Sequence, residues 1–247
     1  MRVWVVLPAY NEGGNLGELF EGFKQTIEDT YNLDLRVIVI DDGSTDNTSE
    51  VILRHAGNIE VQVLRNESNL GLATAFMRGM TTAANQAEKR DVIICMDADN
   101  SHVPGQILRM LRKAREGLDV VISSRYQPES IVRGVPIFRR ILSRGMSLLF
   151  RFVYPISGVR DYSCSYRAYR AGLIQDALKS QGRRLFCSEG FACMVGILLR
   201  LSKAGAVFGE TPIVLRYDQK RGNSKINVRK TIFTTIHILL RERFCRS

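Results

Sequence analysis

Short apolar runs alternate with amphipathic stretches through the first 125 residues of the chain. The runs are rich in β-branched residues and near-continuously apolar, which is typical of strands in a parallel sheet covered on both faces. The predicted strands are residues 3–7, 35–40, 59–64, 92–96 and 120–123. Helical patterns lie between them, near residues 15–30, 45–56, 71–88 and 104–117. This alternation predicts βαβ units and an α/β fold with a doubly wound, mainly parallel sheet.

The second half of the chain is less regular, but Ile137–Val153 has clear helical periodicity. At about 100° per residue, three arginines fall within about 40° of one another, namely Arg140, Arg144 and Arg151. Apolar residues lie on the other side, namely Phe138, Ile141, Leu149 and Phe152. Two interpretations stay open: the arginines face the anionic headgroups of a bilayer, or the apolar side packs against the sheet.

Further elements are predicted downstream. Residues 185–201 read as a mostly buried helix, 207–217 as one or two strands, and 226–244 as an amphipathic helix. We therefore expect one domain over residues 1–225, with halves 1–125 and 126–225, followed by a C-terminal amphipathic extension over 226–247 that packs on the domain or on a membrane. The longest uncharged apolar stretches are about half of the ~20 residues that a membrane span requires.

Charge is divided unevenly between the two halves. Residues 1–108 contain 8 Lys and Arg against 16 Asp and Glu, whereas residues 109–247 contain 27 against 9. An acidic half suggests carboxylates gathered for a cation, and a basic half suggests phosphate, an anionic membrane or nucleic acid, or simply a solvated basic surface. The five cysteines form no CxxC pair, which favours a reducing compartment. Because Met1 leads directly into the first predicted strand, we expect no signal peptide. The expected location is the cytoplasm, with peripheral association with the membrane.

Polar residues follow four of the predicted strands, where ligands bind in doubly wound sheets. Asp97 and Asp99 come directly after the fourth strand. Two carboxylates that close repel each other unless a cation lies between them, and hard oxygen ligands suit Mg²⁺ or Mn²⁺. The alternative is a turn whose aspartates cap the helix that starts near Pro104.

A second acidic motif, Asp41-Asp-Gly-Ser-Thr-Asp46, follows the second strand. Capping of the next helix accounts for Ser44 through Asp46, but it leaves Asp41 and Asp42 unexplained. Since a buried carboxylate can accept hydrogen bonds from a base or a ribose hydroxyl, we interpret this edge as a nucleoside pocket. The chain has neither GxGxxG after the first strand nor GxxxxGK[ST], which disfavours dinucleotide oxidoreductases and P-loop enzymes.

These motifs together resemble the family 2 glycosyltransferases, which have the GT-A fold. The superfamily motifs are Pro8-Ala-Tyr-Asn-Glu12, Asp41-Asp-Gly-Ser-Thr-Asp46, Asn69-Leu-Gly71 and Asp97-Ala-Asp99. Later motifs are similar to the dolichol-phosphate mannose synthase branch, namely Ser124-Arg-Tyr126, Leu142-Ser-Arg-Gly145, Asp161-Tyr-Ser-Cys-Ser-Tyr-Arg-Ala-Tyr-Arg170, Gly209-Glu-Thr-Pro-Ile213 and Gly222-Asn-Ser-Lys225. The resemblance covers about residues 3–230.

The resemblance implies a role for each matching residue. The nucleoside would be held by Pro8, Tyr10, Glu12, Ile40 and Asp42. The ribose, the metal and the diphosphate would be contacted by Asp97, Ala98 and Asp99, with Ser101 joining the metal ligands. The acceptor phosphate would be bound by Arg125, Arg139 and Ser143. Lys225 would close over the donor diphosphate, and Arg221 would add a second cation. One departure is that Gln219 follows Asp218, where the family usually has Arg.

The implied reaction is an inverting transfer of a hexose, mannose from GDP-mannose, onto a polyprenyl or dolichyl phosphate. A phosphomonoester is already anionic at pH 7, because its second pKa is about 6, and needs little help from a general base. Asp161 is the candidate base, but we prefer a structural role for it, paired with Arg167 or a helix terminus. The expected partners are the nucleotide-sugar, the lipid phosphate and an anionic membrane surface, and a small membrane-anchoring subunit stays open.

Three alternatives belong to other classes. One is a family 2 transferase that uses another nucleotide-sugar or a hydroxyl acceptor, and a hydroxyl acceptor would need a true base, so that Asp161 would become essential. A non-catalytic nucleotide-sugar binding module is disfavoured by the intact Asp97, Asp99 and Arg125. A nucleic-acid binder would fit the basic half, but the chain lacks interleaved exposed aromatics and a recognition motif, so we expect no nucleic acid.

Overall fold

The computed structural model describes residues 1–55, 59–186, 190, 192–222 and 228–244. Its strands are β1 (Val3–Ala9), β2 (Leu35–Asp41), β3 (Glu60–Arg65), β4 (Val92–Cys95), β5 (Val120–Ser124), β6 (Ile131–Arg133), β7 (Arg167–Arg170), β8 (Phe208–Pro212) and β9 (Val214–Arg216). Its helices are α1 (Gly13–Glu28), α2 (Thr48–His55), α3 (Leu72–Gln86), α4 (Ile107–Arg115), α5 (Ile137–Val153), α6 (Ala171–Gln181), α7 (Ala192–Lys203) and α8 (Val228–Phe244).

Seven strands form the main sheet in the order β3-β2-β1-β4-β7-β5-β8, and β6 pairs with β9 in a small second sheet. Only β7 runs antiparallel to its neighbours, β4 and β5. The carboxyl ends of β1, β2, β4 and β5 therefore meet at one edge of the sheet. The predicted doubly wound, mainly parallel α/β sheet with helices on both faces is confirmed.

Burial explains why the central strands are so apolar. Every residue of β4 and β5 is buried, as are nearly all residues of β1 and β2, because helices cover both faces of the sheet. The outer strand β3 differs, since none of its side chains is fully buried: Val61 and Leu64 are half-buried and the other four are exposed. This edge position accounts for the polar Glu60 and Gln62 inside the predicted strand.

The strand β7 and the helix α6 that follows it were not predicted. The sequence of β7 is Arg-Ala-Tyr-Arg, which carries no apolar alternation. Arg167 is fully buried in the centre of the sheet, where its guanidinium donates to the backbone carbonyls of Met194 and Tyr162. A buried arginine whose two terminal nitrogens donate to carbonyl oxygens gives a strand without the usual hydrophobic pattern.

The predicted buried helix over 185–201 is present but shifted. A short 3-10 turn covers Gly182–Phe186, and α7 starts at Ala192. Every residue from 192 to 201 is buried. The buried end of α7 includes Arg200, whose guanidinium lies 2.9 Å from the carboxylate of Glu242 on α8. The C-terminal helix thus covers α7 and supplies the countercharge that lets an arginine lie there.

Helix α5 has the predicted bounds, but its apolar side does not pack against the sheet. Its buried residues are Ser147 and Phe150. We call its exposed hydrophobic residues the apolar face of α5, defined as Ile137, Phe138, Ile141, Leu148, Leu149 and Phe152. The arginine edge, defined as Arg140, Arg144 and Arg151, is exposed beside it. The interpretation that the apolar side is a core face is therefore wrong.

None of the helices in the described part of the chain is both long enough and apolar enough to cross a membrane. Helix α8 buries Thr235, Ile238 and Leu239, whereas Phe233 is 77% exposed. Cys95, Cys164 and Cys193 are free and buried, and burial raises the pKa of the Cys164 thiol to about 12. Cys187 and Cys245 lie outside the described residues.

Candidate active site

The loops after β1 and β2 are tied to each other by side-chain hydrogen bonds. Asn11 has a left-handed backbone, with φ 52°. Its side-chain oxygen accepts from the Thr45 backbone N–H at 2.8 Å, and its own N–H donates to Ser44 Oγ at 2.9 Å. Asp46 caps α2 as predicted, because its carboxylate accepts from the Thr48 N–H at 2.9 Å. These contacts hold the two loops in one fixed arrangement.

The two carboxylates of the second motif are buried and hydrogen-bonded. Asp42 accepts from the backbone N–H groups of Leu70 and Gly71, at 3.0 and 2.8 Å, and from the side chain of Asn66 at 2.7 Å. Asp41 accepts from Ser44 and Ser49, and although burial alone would raise its pKa, these bonds keep that pKa below its usual range. Asp42 therefore joins the second loop to the Asn69-Leu-Gly71 motif, a link that the sequence does not reveal.

The other residues expected at the nucleoside lie along the same edge. Pro8 and Ile40 are register partners on β1 and β2. Tyr10 and Glu12 are half-buried in the loop that follows β1. The carboxylate of Glu12 accepts from the side chain of Asn15 at 2.6 Å. The structure thus gathers these residues on two adjacent strands and the loop between β1 and α1.

The carboxylate pair follows β4 at the centre of the edge. Asp97 is half-buried, and Asp99 and Ala98 are buried. Burial and the nearby charge of Asp99 raise the pKa of Asp97 above its usual value. Ser101 donates to Asp99 Oδ1 through its hydroxyl at 2.6 Å and through its backbone N–H at 3.1 Å. His102 is a structural neighbour, since its Nδ1 accepts from the Asp97 N–H at 3.1 Å.

A lysine contacts the second carboxylate of this pair. The Nζ atom of Lys220 lies 2.6 Å from Asp99 Oδ2, and both side chains are at most 13% exposed. Burial alone would raise the pKa of Asp99, but the ammonium outweighs it and lowers that pKa. Arg221 pairs with Glu18 and exchanges two hydrogen bonds with Asn15. Lys225, expected to close over the diphosphate, lies outside the described residues.

The oxygen atoms of this edge fit a divalent ion that takes some of its ligands from the protein and the others from a substrate. Asp97, Asp99 and Ser101 offer two carboxylates and a hydroxyl, the oxygen ligands that Mg²⁺ and Mn²⁺ prefer. The ammonium of Lys220 already stands as a cation on Asp99. Within the described ranges, no three His, Cys, Asp or Glu side chains form a metal cage. The remaining ligands would therefore come from diphosphate oxygens and water.

Arg125 and Asp161 form a bidentate ion pair at the end of β5. Asp161 Oδ2 accepts from Arg125 Nε at 2.8 Å, and Oδ1 accepts from Nη2 at 2.6 Å. The backbone N–H groups of Arg125 and Cys164 also donate to this carboxylate, at 3.0 and 3.1 Å. Asp161 is fully buried, and Arg125 outweighs burial and holds its pKa below the usual value. The expected structural role is present, but the partner is Arg125 rather than Arg167.

The remaining residues expected at the acceptor phosphate join α5 to the sheet edge. Ser143 Oγ lies 2.8 Å from the hydroxyl of Tyr126, which follows Arg125. Arg139 donates to the Tyr217 hydroxyl at 2.9 Å. The Tyr217 ring also lies 5.6 Å from Lys220 Nζ. Tyr217 thus lies between Lys220 and Arg139, a connection that sequence reasoning missed because it comes from the short 3-10 turn Tyr217–Gln219 after β9.

A cavity of about 1010 Å³ opens at the C-terminal end of α5. Its lining includes Leu148 and Phe152 of the apolar face, together with Ile156 and Arg160. Glu210 lies in its wall and accepts from the Asp161 N–H at 2.7 Å. The cavity is therefore separate from the carboxylate pair but touches the loop that positions Arg125.

Comparison of the sequence with known protein families identifies the family of this chain. The family model described as glycosyl transferase family 2 matches residues 4–178. The chain belongs to glycosyl transferase family 2. This match covers well over half of the chain, and it includes both acidic motifs and the Arg125–Asp161 pair. The predicted family is confirmed.

Curated relatives cover almost the whole chain. It is 29% identical over 98% of its length to a dolichol-phosphate mannosyltransferase of Pyrococcus furiosus, of which it spans only 63%. It is 29% identical over its full length to a polyprenol monophosphomannose synthase of Mycolicibacterium smegmatis, spanning 90% of that protein. It is 30% identical over 92% of its length to an undecaprenyl-phosphate mannosyltransferase of Micrococcus luteus, spanning 88% of it. The transferase branch expected from the motifs is thus found among the relatives.

Solved structures share the fold at low sequence identity. One is glucosyl-3-phosphoglycerate synthase from Mycobacterium tuberculosis in complex with Mn²⁺, uridine diphosphate and glucosyl-3-phosphoglycerate. Its TM-score is 0.68 and its sequence identity 18%, over 100% of this chain and 81% of that one. The same synthase with Mg²⁺ and uridine diphosphate gives a TM-score of 0.67 and 17% identity over 100% and 80%. Both matches bear out the expected fold.

Proposed function

We propose that this family 2 glycosyltransferase moves mannose from GDP-mannose to a polyprenyl phosphate, such as dolichyl phosphate, with the help of Mg²⁺ or Mn²⁺. The observation that carries the proposal is the arrangement of charge at one sheet edge: a carboxylate pair on one side and an arginine fixed by a buried aspartate on the other. The names of the three curated relatives support mannose as the sugar and a polyprenyl phosphate as the acceptor.

In the proposed reaction, an oxygen of the acceptor phosphate attacks the anomeric carbon while the bond to the nucleotide diphosphate breaks on the opposite side. The acceptor phosphate carries its own negative charge at pH 7, so no side chain has to remove a proton from it. A divalent ion held by Asp97, Asp99 and Ser101 would stabilise the charge that builds on the leaving diphosphate. Arg221 adds a cation beside the same edge.

Arg125 is well placed to bind the acceptor phosphate. Its Nε and Nη2 atoms are engaged by Asp161, which fixes the plane of the guanidinium. The Nη1 atom has no hydrogen-bond partner among the described residues, and a planar guanidinium binds phosphate oxygens well. Arg139 and Ser143 lie on the α5 face that turns toward this position, since they contact Tyr217 and Tyr126.

A hydroxyl acceptor is disfavoured by the state of Asp161. Such an acceptor needs a base that can take its proton, with a pKa near the working pH. The Asp161 carboxylate instead has a lowered pKa and accepts bonds from Arg125 on both oxygens. It is a poor proton acceptor and a good holder of Arg125.

We further propose that the chain binds a membrane through α5. The apolar face of α5 is exposed, and the arginine edge runs along its flank. An exposed apolar helix face beside a row of arginines is typical of helices that lie in the headgroup region of an anionic bilayer. Binding of the purified chain to anionic liposomes would show that no anchoring subunit is needed for this step.

The activity test supplies radiolabelled GDP-mannose, GDP-glucose, UDP-glucose and UDP-N-acetylglucosamine in separate reactions with polyprenyl phosphate and Mn²⁺. Label entering the organic phase only with GDP-mannose is the expected result. Polyprenol without its phosphate is the acceptor control, and EDTA is the metal control. Equal transfer to polyprenol, or full transfer in EDTA, contradicts the proposal.

A further inference from the structure

The cation that touches the carboxylate pair belongs to the chain itself. Lys220 Nζ lies 2.6 Å from Asp99 Oδ2, and the two side chains are 13% and 10% exposed. The other oxygen of Asp99 accepts from Ser101. Each oxygen of this candidate metal ligand therefore already has a partner, and the partner of Oδ2 carries a positive charge.

The backbone on both sides of Lys220 is held by contacts that do not involve its side chain. The Arg216 N–H donates to the Ser101 carbonyl at 2.8 Å. Gly134, with φ +75°, approaches so closely that a Cβ there would lie 2.5 Å from the Asp218 backbone nitrogen. Arg221 is joined to Asn15 through two backbone bonds, at 2.8 and 3.1 Å. The lysine side chain can therefore change partners while the loop stays in place, because its stem is flexible.

Electrostatics sets the condition for that exchange. A divalent ion and an ammonium cannot both contact Asp99 Oδ2, since like charges at that separation repel strongly in a partly buried site. An ion that binds Asp99 Oδ2 without a nucleotide must therefore displace Lys220 and leave its charge without a partner. An ion that arrives with a nucleotide diphosphate brings a new anion for the ammonium.

We propose that Lys220 is an exchangeable cation, which pairs with Asp99 in the free protein and moves onto the donor diphosphate when the metal and the nucleotide enter together. It would supply the positive charge that the resemblance expects at position 219, where this chain has Gln219. This inference rests on the proposed function, because it takes a metal-bound nucleotide-sugar as the donor. Its consequence is that the free protein binds metal weakly until the nucleotide is present.

The test measures Mn²⁺ binding by the electron paramagnetic resonance signal of the free ion, with and without GDP. The variants are Lys220→Met and a matched control, Lys113→Met, whose lysine lies 2.6 Å from Glu116 on the surface. Without GDP, Lys220→Met should bind Mn²⁺ about tenfold more tightly than the wild type, since the competing charge is gone. With saturating Mn²⁺, it should bind GDP about tenfold more weakly, and Lys113→Met should match the wild type in both.

Unchanged Mn²⁺ affinity in Lys220→Met without GDP overturns the competition, and unchanged GDP affinity overturns the contact with the diphosphate. Thermal melting with and without Mn²⁺ checks that the variant folds, and Lys220→Gln repeats the comparison with a polar side chain. In the wild type, equal Mn²⁺ affinities with and without GDP also refute the exchange. Failure of the proposed function is separate, because it appears as absent sugar transfer while the Mn²⁺ and GDP results stand.

Discussion

Replacing Asp161 with asparagine tests whether this carboxylate positions Arg125 or acts as a base. The substitution keeps the size of the side chain but removes its charge. It leaves Arg125 without a countercharge and places an amide NH₂ where the carboxylate accepted from Nε, Nη2 and backbone N–H groups. The change therefore acts on an ion pair in which Asp161 is fully buried.

Breaking a buried ion pair by removing one partner costs about 3–5 kcal/mol. Because 23% of the Arg125 side chain is exposed, water relieves part of this cost, and we expect about 3 kcal/mol of lost unfolding free energy. That is a large share of the roughly 5–15 kcal/mol that stabilises a typical domain. Urea unfolding followed by circular dichroism measures it at pH 7. Asp176→Asn is the matched control, since its ion pair with Lys89 is exposed and its loss should change stability little.

Acidification gives a second readout of the same pair. The pKa of Asp161 is lowered in the folded protein, so its stabilising contribution is present above the unfolded value of about 3.9 and is lost as pH falls through the lower folded value. Between pH 7 and pH 3, the wild type should therefore lose more stability than Asp161→Asn. In activity assays, the variant should raise KM for polyprenyl phosphate. A variant as stable as the wild type, with intact acceptor KM and only kcat abolished, would show that Asp161 is the base.

Three further predictions concern the metal, the membrane and one loop. Asp99→Ala should abolish both turnover and the response to Mn²⁺ in the lipid-extraction assay, and near-normal rates would refute the metal site. Phe152→Ser should weaken co-sedimentation with anionic liposomes several-fold, as should neutralising the arginine edge. Leu53→Ser is the control and should not, since Leu53 is exposed on α2 and lies outside the apolar face of α5. Gly43→Ala should lower the melting temperature, because Gly43 has φ +73° and an added Cβ would lie 2.5 Å from the Ser68 backbone. An unchanged melting temperature contradicts the close packing of the loop after β2, which contains Gly43, against the loop after β3, which contains Ser68.

Much of the first half could be predicted because local pattern and burial agree there. The strands β1, β2, β4 and β5 are covered on both faces, so their sequences are apolar throughout. Alternation with helices then indicates that these strands run parallel and that the acidic loops meet at one edge of the sheet. Where these conditions fail, as in the polar strand β7, the pattern carries no signal.

Contacts between distant segments could not be predicted in this way. Lys220 and Asp99 are separated by 121 positions, and nothing in either local sequence indicates the pairing. Asp161 illustrates the same limit, because the sequence suggested Arg167 or a helix terminus as its partner, whereas the structure pairs it with Arg125. Arg167 donates instead to two backbone carbonyls, which have no signature in the sequence. The pairing of buried charges therefore depends on the fold, and the structure is needed to identify it.

The apolar face of α5 shows why periodicity alone does not reveal what a helix contacts. Its spacing located the hydrophobic side correctly, and a core position was as consistent with it as a membrane position. The structure separates the two, since Phe152 is 89% exposed and Ile137 is 73% exposed. Such a face is normally covered by another surface. The arginine edge makes a bilayer with anionic headgroups the best match, because it supplies apolar and negatively charged surface side by side. Arg139 and Ser143, on the same helix, would then meet a lipid phosphate at the depth where headgroups lie.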